Sequence, residues 1–468
     1  MTQSGTGPQL LARFSRIPVT TRSHRRWAIL LAGVFVFELA DLHTFALVAP
    51  ELRKQWHLSV ASIGLITSLG FVGMFLGSAI GGRLSDAYGR KKPLIWSSIW
   101  FSIFSALSAL ATDLATLGVL RILTGVGLTS MTAIALSYVS EMYPRDLRGR
   151  YLALIFGVGL SGIPLISWFA RAVVPAGTDG WRWVFLVGGL GIVVAALMIK
   201  YLPESIRWQI ANGTGEQAES LVAQLEREAV AKLGTDLPEP EIATETPAAR
   251  GGLRELFGPQ YRRRTIVFFI ASIFAVVGFY GYTSFVPTLL VEHGFDVVHS
   301  LTYTSIVQLG AIPGAFLAFT FTDRWERKYS LGISYLSITA LVLVYGYADE
   351  AGVIVVTGFL IAMLLQTSTV LAFTYGPEIF PTELRGLGGG LGNGLGRLAT
   401  AGGSNLLPVI FTTFGYTAVF IYVGVVLAIT AIAYLGWGER TTGRALETVT
   451  VGPRNPAAPT PQERENAT

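Results

Sequence analysis

The sequence of 468 residues has no cysteine, which excludes disulfide bridges, thiolate metal sites and cysteine nucleophiles. It has no Gly-x-x-x-x-Gly-Lys-Ser/Thr loop, so we do not expect ATP to drive its function. Residues 1 to 24 lack the apolar run of a signal peptide, and the first apolar run after them is too long to be one, so we expect no cleaved signal peptide. The polar residues form no recognisable nucleophile and base pair or metal cluster, which argues against an enzyme and against a metal or organic cofactor.

Charge is also scarce. Only 14% of the residues are charged, whereas 51% are hydrophobic, and the mean hydropathy is +0.53. This balance is too apolar for an ordinary soluble protein of this length. Inside a bilayer the backbone polar groups have no water to bond, so each apolar run should form a helix of about 20 residues. The composition therefore predicts an all-α membrane protein.

Twelve apolar runs are predicted to span the membrane. The first six are Trp27–Ala49, Val60–Gly81, Leu94–Ala111, Leu114–Tyr138, Tyr151–Val174 and Val184–Leu202. The second six are Thr265–Leu289, Thr302–Phe321, Tyr329–Tyr347, Gly352–Phe373, Gly388–Thr412 and Thr417–Trp437.

The two sets of runs are related by a repeat with an offset of 237 residues. This offset places Tyr138–Gly149 on Tyr375–Gly386 with six of twelve positions identical. The repeat predicts two pseudo-symmetric six-helix bundles, and parallel repeats in membrane proteins rock about a shared midplane site. The predicted division is a tail (1–26), a first bundle (27–202), a linker (203–264), a second bundle (265–437) and a second tail (438–468). Within the linker, Gly215–Leu233 has the pattern of an amphipathic helix.

Basic residues are concentrated in alternate short loops. The clusters are Arg22, Arg25 and Arg26; Arg90, Lys91 and Lys92; Arg145, Arg148 and Arg150; Arg262, Arg263 and Arg264; and Arg324, Arg327 and Lys328. The positive-inside rule then places both termini in the cytoplasm of a plasma membrane, which we expect to be a bacterial inner membrane. The net charge of +5 is explained by this topology and does not indicate nucleic-acid binding. The expected partners of the chain, acting as a monomer, are membrane lipid, protons and a small molecule.

One loop carries a distinctive motif. After the second predicted helix the sequence reads Gly82-Arg-Leu-Ser-Asp86-Ala-Tyr-Gly89-Arg90-Lys91-Lys92. This segment resembles the signature loop of the major facilitator superfamily. The resemblance implies that Asp86 and Arg90 make charge contacts across the cytoplasmic interface between the bundles and hold one conformation closed.

The second copy of this loop is degenerate, because it keeps Asp323 and Arg327 but has Glu326 in place of the glycine. Further charged motifs follow later helices in both halves and resemble those of the sugar porters and of the aromatic acid/proton symporters. The complete set of gating candidates is Gly82, Asp86, Gly89, Arg90, Glu141, Arg148, Glu204, Arg207, Asp323, Arg327, Glu378 and Arg385.

Four ionisable residues stand out inside predicted helices, where charge is costly and therefore points to function. Glu38 and Asp41 are three residues apart, so they share one face of the first helix. Burial favours the uncharged form of a carboxylate, which makes both acids candidates for binding a transported proton. Arg121 resembles the helix-4 arginine of the superfamily, and the resemblance implies that Asp41 faces it. Protonation of Asp41, together with Glu38, should then weaken the contact with Arg121, although a permanent structural ion pair is the alternative.

The fourth ionisable residue, Arg397, lies in the eleventh helix within Gly392-Asn-Gly-Leu-Gly-Arg397. Organic anion transporters of the superfamily carry an arginine in a similar context, so the resemblance favours a substrate carboxylate as its partner. An internal bond to another protein group is the alternative. Further candidates for substrate contact, at a similar predicted depth, are Tyr280, Tyr282, Gln308, Gln366, Asn393 and His43.

The first helix resembles the aromatic acid/proton symporters, whose Asp-Gly-x-Asp pattern appears here as Glu38-Leu-Ala-Asp41. Together these observations predict a proton-coupled importer of a small organic anion, an aromatic or pyridine carboxylate, that works by alternating access. The proton gradient would supply the energy. Two alternatives remain at this point, which are a proton-coupled transporter of a sugar, polyol or other neutral metabolite, and a receptor or sensor that keeps the fold without transporting.

Overall fold

The computed structural model of the chain describes residues 6–240, 252–322 and 325–441. The predicted site residue Asp323 and most of the predicted second tail lie outside these ranges. The helices of the N-terminal half are α1 (Thr6–Ser15), α2 (Arg22–Trp56), α3 (Val60–Tyr88), α4 (Lys91–Ser108), α5 (Leu114–Met142), α6 (Arg145–Gly159), α7 (Gly162–Val173), α8 (Gly180–Gly189) and α9 (Gly191–Tyr201). Between the halves lie α10 (Ile206–Ala211), α11 (Gly215–Leu233) and α12 (Leu253–Leu256). The C-terminal half contains α13 (Arg262–Thr283), α14 (Val286–Glu292), α15 (Val297–Gln308), α16 (Ala311–Thr322), α17 (Arg327–Gly346), α18 (Ala351–Ile379), α19 (Thr382–Phe414) and α20 (Tyr416–Ile432).

The predicted all-α membrane fold is confirmed. Ten helical stretches of the described residues are long and apolar enough to cross a bilayer. The other two predicted crossings, α4 and α19, are also helical, but α4 carries two lysines with several serines and α19 is rich in glycine. Three of these ten stretches each consist of two consecutive helices, which are α6 with α7, α8 with α9, and α15 with α16.

The sequence repeat corresponds to a structural repeat. Ser130 of α5 donates a hydrogen bond to the Gly77 carbonyl of α3 (2.7 Å), and its repeat equivalent Thr367 of α18 donates to the Gly314 carbonyl of α16 (2.8 Å). Each of these bonds joins two helices that are tightly packed. A Cβ atom placed on Gly81 would lie 2.6 Å from Ser130 Cα, so glycine is required for this approach.

The two ends of the molecule are named by the helices that begin or end there. We call the end at which α2 begins and α3 ends the basic face, and the end at which α2 ends and α3 begins the opposite face. The halves contact each other through α3 with α19, α7 with α15 and α2 with α14.

Polar contacts between the halves lie toward the opposite face. Arg53 at the end of α2 forms an ion pair with Glu292 at the end of α14. Arg171 of α7 donates a hydrogen bond to Thr302 of α15 (3.0 Å), and Asn405 of α19 donates one to Ser68 of α3 (2.9 Å). The conformation described is therefore closed at the opposite face.

A small helical unit covers part of the basic face. The predicted amphipathic helix is confirmed as α11, whereas α1 was not predicted. Phe14 of α1 and Leu225 of α11 belong to one buried apolar cluster. Arg13 (2.6 Å) and Arg16 (2.8 Å) both form salt bridges with Glu226 of α11. The start of the described chain is therefore anchored to the segment that connects the two halves.

Candidate functional site

Asp41 and Arg121 form a buried ion pair between α2 and α5. Arg121 Nη1 lies 3.2 Å from Asp41 Oδ2, and the two side chains are 6% and 0% exposed. The other carboxylate oxygen, Oδ1, accepts a hydrogen bond from Ser105 of α4 (2.6 Å). Both oxygens of Asp41 therefore have donors, and one of these donors is a cation.

Glu38 lies about one turn earlier on α2 and has different surroundings. Its Oε1 accepts a hydrogen bond from the Thr132 hydroxyl of α5. Its Oε2 is buried and has no hydrogen-bond partner among the described residues. Arg397 of the C-terminal half lies within electrostatic range of this carboxyl group.

Arg397 reaches from α19 to the N-terminal half. Its Nε donates to Asn393 Oδ1 one turn earlier on the same helix (3.0 Å), and its Nη1 lies 3.0 Å from Met74 Sδ on α3. The arginine is half-buried and Asn393 is exposed. Most of the hydrogen-bonding capacity of this guanidinium is therefore not used by the described contacts.

Tyr280 of α13 completes the group. Its ring meets Phe71 of α3 edge to face, with 4.6 Å between the centroids, so this contact also joins the two halves. The tyrosine lies within electrostatic range of both Glu38 and Arg397. We call Glu38, Thr132, Tyr280, Asn393 and Arg397 the junction cluster.

The other predicted substrate residues lie elsewhere. Tyr282 is buried in the C-terminal half, where its ring packs against Tyr345 with 5.6 Å between centroids. Residues two apart on a helix point in nearly opposite directions, so Tyr280 and Tyr282 do not face the same site. His43 Nδ1 is hydrogen-bonded to the Leu39 carbonyl within α2 (2.9 Å). Gln308 and Gln366 are both buried, and the structure describes no contact between them and the junction cluster.

At the basic face, the predicted gating residues form ion pairs within each half. Arg90 lies 2.8 Å from Glu141 and 3.4 Å from Asp86. The repeat equivalents, Arg327 and Glu378, are paired at 3.1 Å. The resemblance implied contacts of Asp86 and Arg90 across the bundle interface in the conformation that they hold closed, and this stays a prediction, because the present conformation does not test it. The reason is that the described polar contacts between the halves are made toward the opposite face.

Glu204 holds the motif loop in place. Its carboxylate accepts hydrogen bonds from the backbone N–H groups of Arg90 (2.6 Å) and Lys91 (3.0 Å) at the start of α4, where the helix dipole favours an anion. Gly89 has a φ of +88°, and a Cβ atom there would lie 2.6 Å from the Glu204 carboxylate carbon. Ser205, which the sequence analysis did not single out, donates a hydrogen bond to Glu141.

The remaining gating candidates have less distinctive positions. Gly82 and Arg207 are exposed. Arg148 and Arg385 are half-buried at equivalent places near the starts of α6 and α19.

Sequence reasoning also missed Thr132, Ser105, Phe71 and Met74. A usable signal existed for Thr132, because it follows Arg121 by eleven residues, which is about three helical turns on one face. Phe71 and Met74 carried no such signal, since apolar residues in a membrane helix are ordinary.

Comparisons with known proteins agree with the fold. A sequence model of the Major Facilitator Superfamily matches residues 30–404. The Putative metabolite transport protein YyaJ of Bacillus subtilis strain 168 is 34% identical, over 93% of this chain and 96% of that protein. The Niacin transporter NiaP of Acinetobacter baylyi is 31% identical, over 94% of this chain and 99% of that protein. A solved structure of the xylose transporter XylE from E. coli, in a partially occluded inward open conformation, has a TM-score of 0.73 at 18% identity and covers 89% of this chain and 98% of that one.

Proposed function

The chain belongs to the Major Facilitator Superfamily, a family of transporters and not of enzymes, and we propose that it imports a small organic anion together with protons. The observation that carries this proposal is the junction cluster. It sets a cation from one half, Arg397, within electrostatic range of an acid from the other half, Glu38. An intramembrane charge between two moving bundles is a functional feature by default, because leaving it there is costly.

The proposed substrate is an aromatic or pyridine carboxylate. Arg397 would hold the carboxylate through its planar fork of N–H donors, and Asn393 keeps the guanidinium in position. Phe71 and Tyr280 supply aromatic surface for the ring of the substrate. The relative named as a niacin transporter supports this assignment, since niacin is a pyridine carboxylate.

Coupling is assigned to Glu38 and Asp41 together with Arg121. The ion pairs Arg90 with Glu141 and Arg327 with Glu378 would stabilise the basic face while the halves change their relative position. We propose that this face is cytoplasmic and that the protein is a monomer in the plasma membrane. The proton gradient is its energy source, and no cofactor is required.

Uptake into proteoliposomes tests this function. A labelled panel of benzoate-like acids, pyridine carboxylates, hexoses and organic cations is supplied with and without an inward proton gradient. We expect gradient-stimulated accumulation of an acid that hexoses do not inhibit. Accumulation of a neutral solute in place of any acid would contradict the proposal, and binding of an acid without accumulation would indicate a receptor.

Arg397→Ala tests the anion site. Loss of a charge-assisted hydrogen bond costs about 1.5 to 3 kcal/mol, which corresponds to roughly a 10- to 100-fold weaker affinity for the acid. Arg397→Lys should be intermediate because it keeps the charge but loses the fork. Arg227→Ala, at an exposed position on α11, is the matched control. Unchanged affinity in Arg397→Ala would refute the assignment of the carboxylate partner.

A further inference from the structure

We infer that the coupling proton is carried by Glu38 and not by Asp41, which is paired with Arg121, and that Thr132 is the residue that positions Glu38 for this role. The inference rests on the proposed function and assigns different roles to Glu38 and Asp41. Sequence analysis had placed the proton mainly on Asp41.

The surroundings of Asp41 suit a carboxylate. One oxygen accepts from the Ser105 hydroxyl (2.6 Å) and the other from Arg121 (3.2 Å). An apolar ring also borders this pair, since the Phe185 ring centroid lies 5.8 Å from the Arg121 guanidinium carbon. A proton on Asp41 would neutralise its carboxylate and would leave Arg121 as an almost fully buried cation without a counter-charge.

The surroundings of Glu38 suit a carboxylic acid. Thr132 Oγ1 is within bonding distance of Glu38 Oε1 and also of the Leu128 carbonyl (2.9 Å), but a hydroxyl has only one hydrogen to donate. If Glu38 is protonated, it can donate to Thr132 and Thr132 can donate to Leu128, so both contacts are hydrogen bonds. If Glu38 is ionised, Thr132 must donate to it, and the buried Oε2 then carries negative charge without a donor.

The neighbours of Glu38 link proton binding to substrate binding. From the facing half, Arg397 of α19 and Tyr280 of α13 lie within electrostatic range of Glu38. On its own helix, Asp41 is paired with Arg121, and His43 is bonded to the backbone. In the empty site, Arg397 stabilises ionised Glu38. When the carboxylate of a substrate neutralises Arg397, this stabilisation is lost and Glu38 holds its proton more tightly. By linkage, a proton on Glu38 strengthens substrate binding to the same extent, which is the condition for symport.

The test removes, one at a time, the hydroxyl groups that are hydrogen-bonded to the two buried acids. Counterflow of the labelled acid is measured in proteoliposomes with equal pH on both sides, and the midpoint of its pH profile is determined. Thr132→Val is nearly isosteric and removes the contact from both forms of Glu38. The bond to the ionised form is charge-assisted and therefore the stronger of the two, so we expect the midpoint to rise by about 1 pH unit. Thr132→Ser should restore it. Ser105→Ala is the matched control, because it removes the equivalent donor from Asp41, and its midpoint should stay at the wild-type value.

The outcomes separate the possible failures. A midpoint that moves in Ser105→Ala but not in Thr132→Val would overturn the inference and return the proton to Asp41. An unchanged midpoint in both variants would also overturn it. Glu38→Gln provides a second test that does not depend on Thr132. Counterflow through this variant should become independent of pH. If wild-type protein shows no proton-stimulated uptake of any acid, the proposed function itself fails, whatever the variants show.

Discussion

Removal of the charge on Asp41 should destabilise the protein strongly. Arg121 and Asp41 are 6% and 0% exposed, and the guanidinium lies 3.2 Å from the carboxylate. Asp41→Asn therefore leaves a buried cation without its counter-charge. Breaking a buried pair in this way costs about 3 to 5 kcal/mol, whereas replacing both partners costs much less because no charge is left alone.

Melting in detergent provides the assay, with intrinsic fluorescence as the signal. Asp41→Asn and Arg121→Gln should each melt well below the wild type, and the double variant should recover most of the loss. Asp179→Asn is the control, because Asp179 is paired with Arg182 at 2.7 Å but is 69% exposed, so its loss should cost less than about 1 kcal/mol. If the losses of the two single variants simply add in the double variant, the pair is not coupled and this reasoning is refuted.

Two further predictions concern packing and pH. Gly81→Ala should lower the melting temperature, because a Cβ atom there would lie 2.6 Å from Ser130 Cα and overpacking costs typically about 1 to 3 kcal/mol. Gly82→Ala is the control and should leave the melting temperature unchanged, because a Cβ atom there would have nothing within 4 Å. Equal effects of the two variants would contradict the packing account. Partial burial alone would raise the pKa of Glu228, but hydrogen bonds from Ser23 and Gln224 outweigh it and lower this pKa from 4.5 to about 2. The stabilising contribution of Glu228 is therefore complete above pH 4.5 and is lost as the pH falls toward 2. The distance between spin labels on α2 and α11 should therefore increase between pH 4.5 and 2, and it should stay constant between pH 8 and 5.

Much of the fold could be predicted because membrane helices and repeats leave strong patterns. The offset that aligned the two halves also predicts equivalent contacts, and Arg90 with Glu141 is indeed repeated by Arg327 with Glu378. The helix α1 could not be predicted with the same ease. It is short, and its apolar side chains are buried by packing against α11, which is distant in the sequence.

The candidate site was predicted in part for a similar reason. Charges inside apolar helices are conspicuous, and the structure brings Glu38 and Arg397 within electrostatic range of each other. Hydroxyl residues are common in such helices and usually bond to their own backbone, so the position of Thr132 three turns after Arg121 was only a weak signal. Tyr282 lies away from the junction cluster for a geometrical reason, since residues two apart on a helix, such as Tyr280 and Tyr282, point in nearly opposite directions.

The most direct test of the central claim is whether the acid and the proton enter together. Proteoliposomes containing a pH-sensitive dye receive an inward gradient of the transported acid, with equal pH on both sides and protein-free liposomes as the control for passive entry. We expect the lumen to acidify with the wild-type protein and not with Glu38→Gln, which should still exchange labelled acid. Entry of the acid through the wild-type protein without acidification beyond the protein-free control would contradict proton-coupled import.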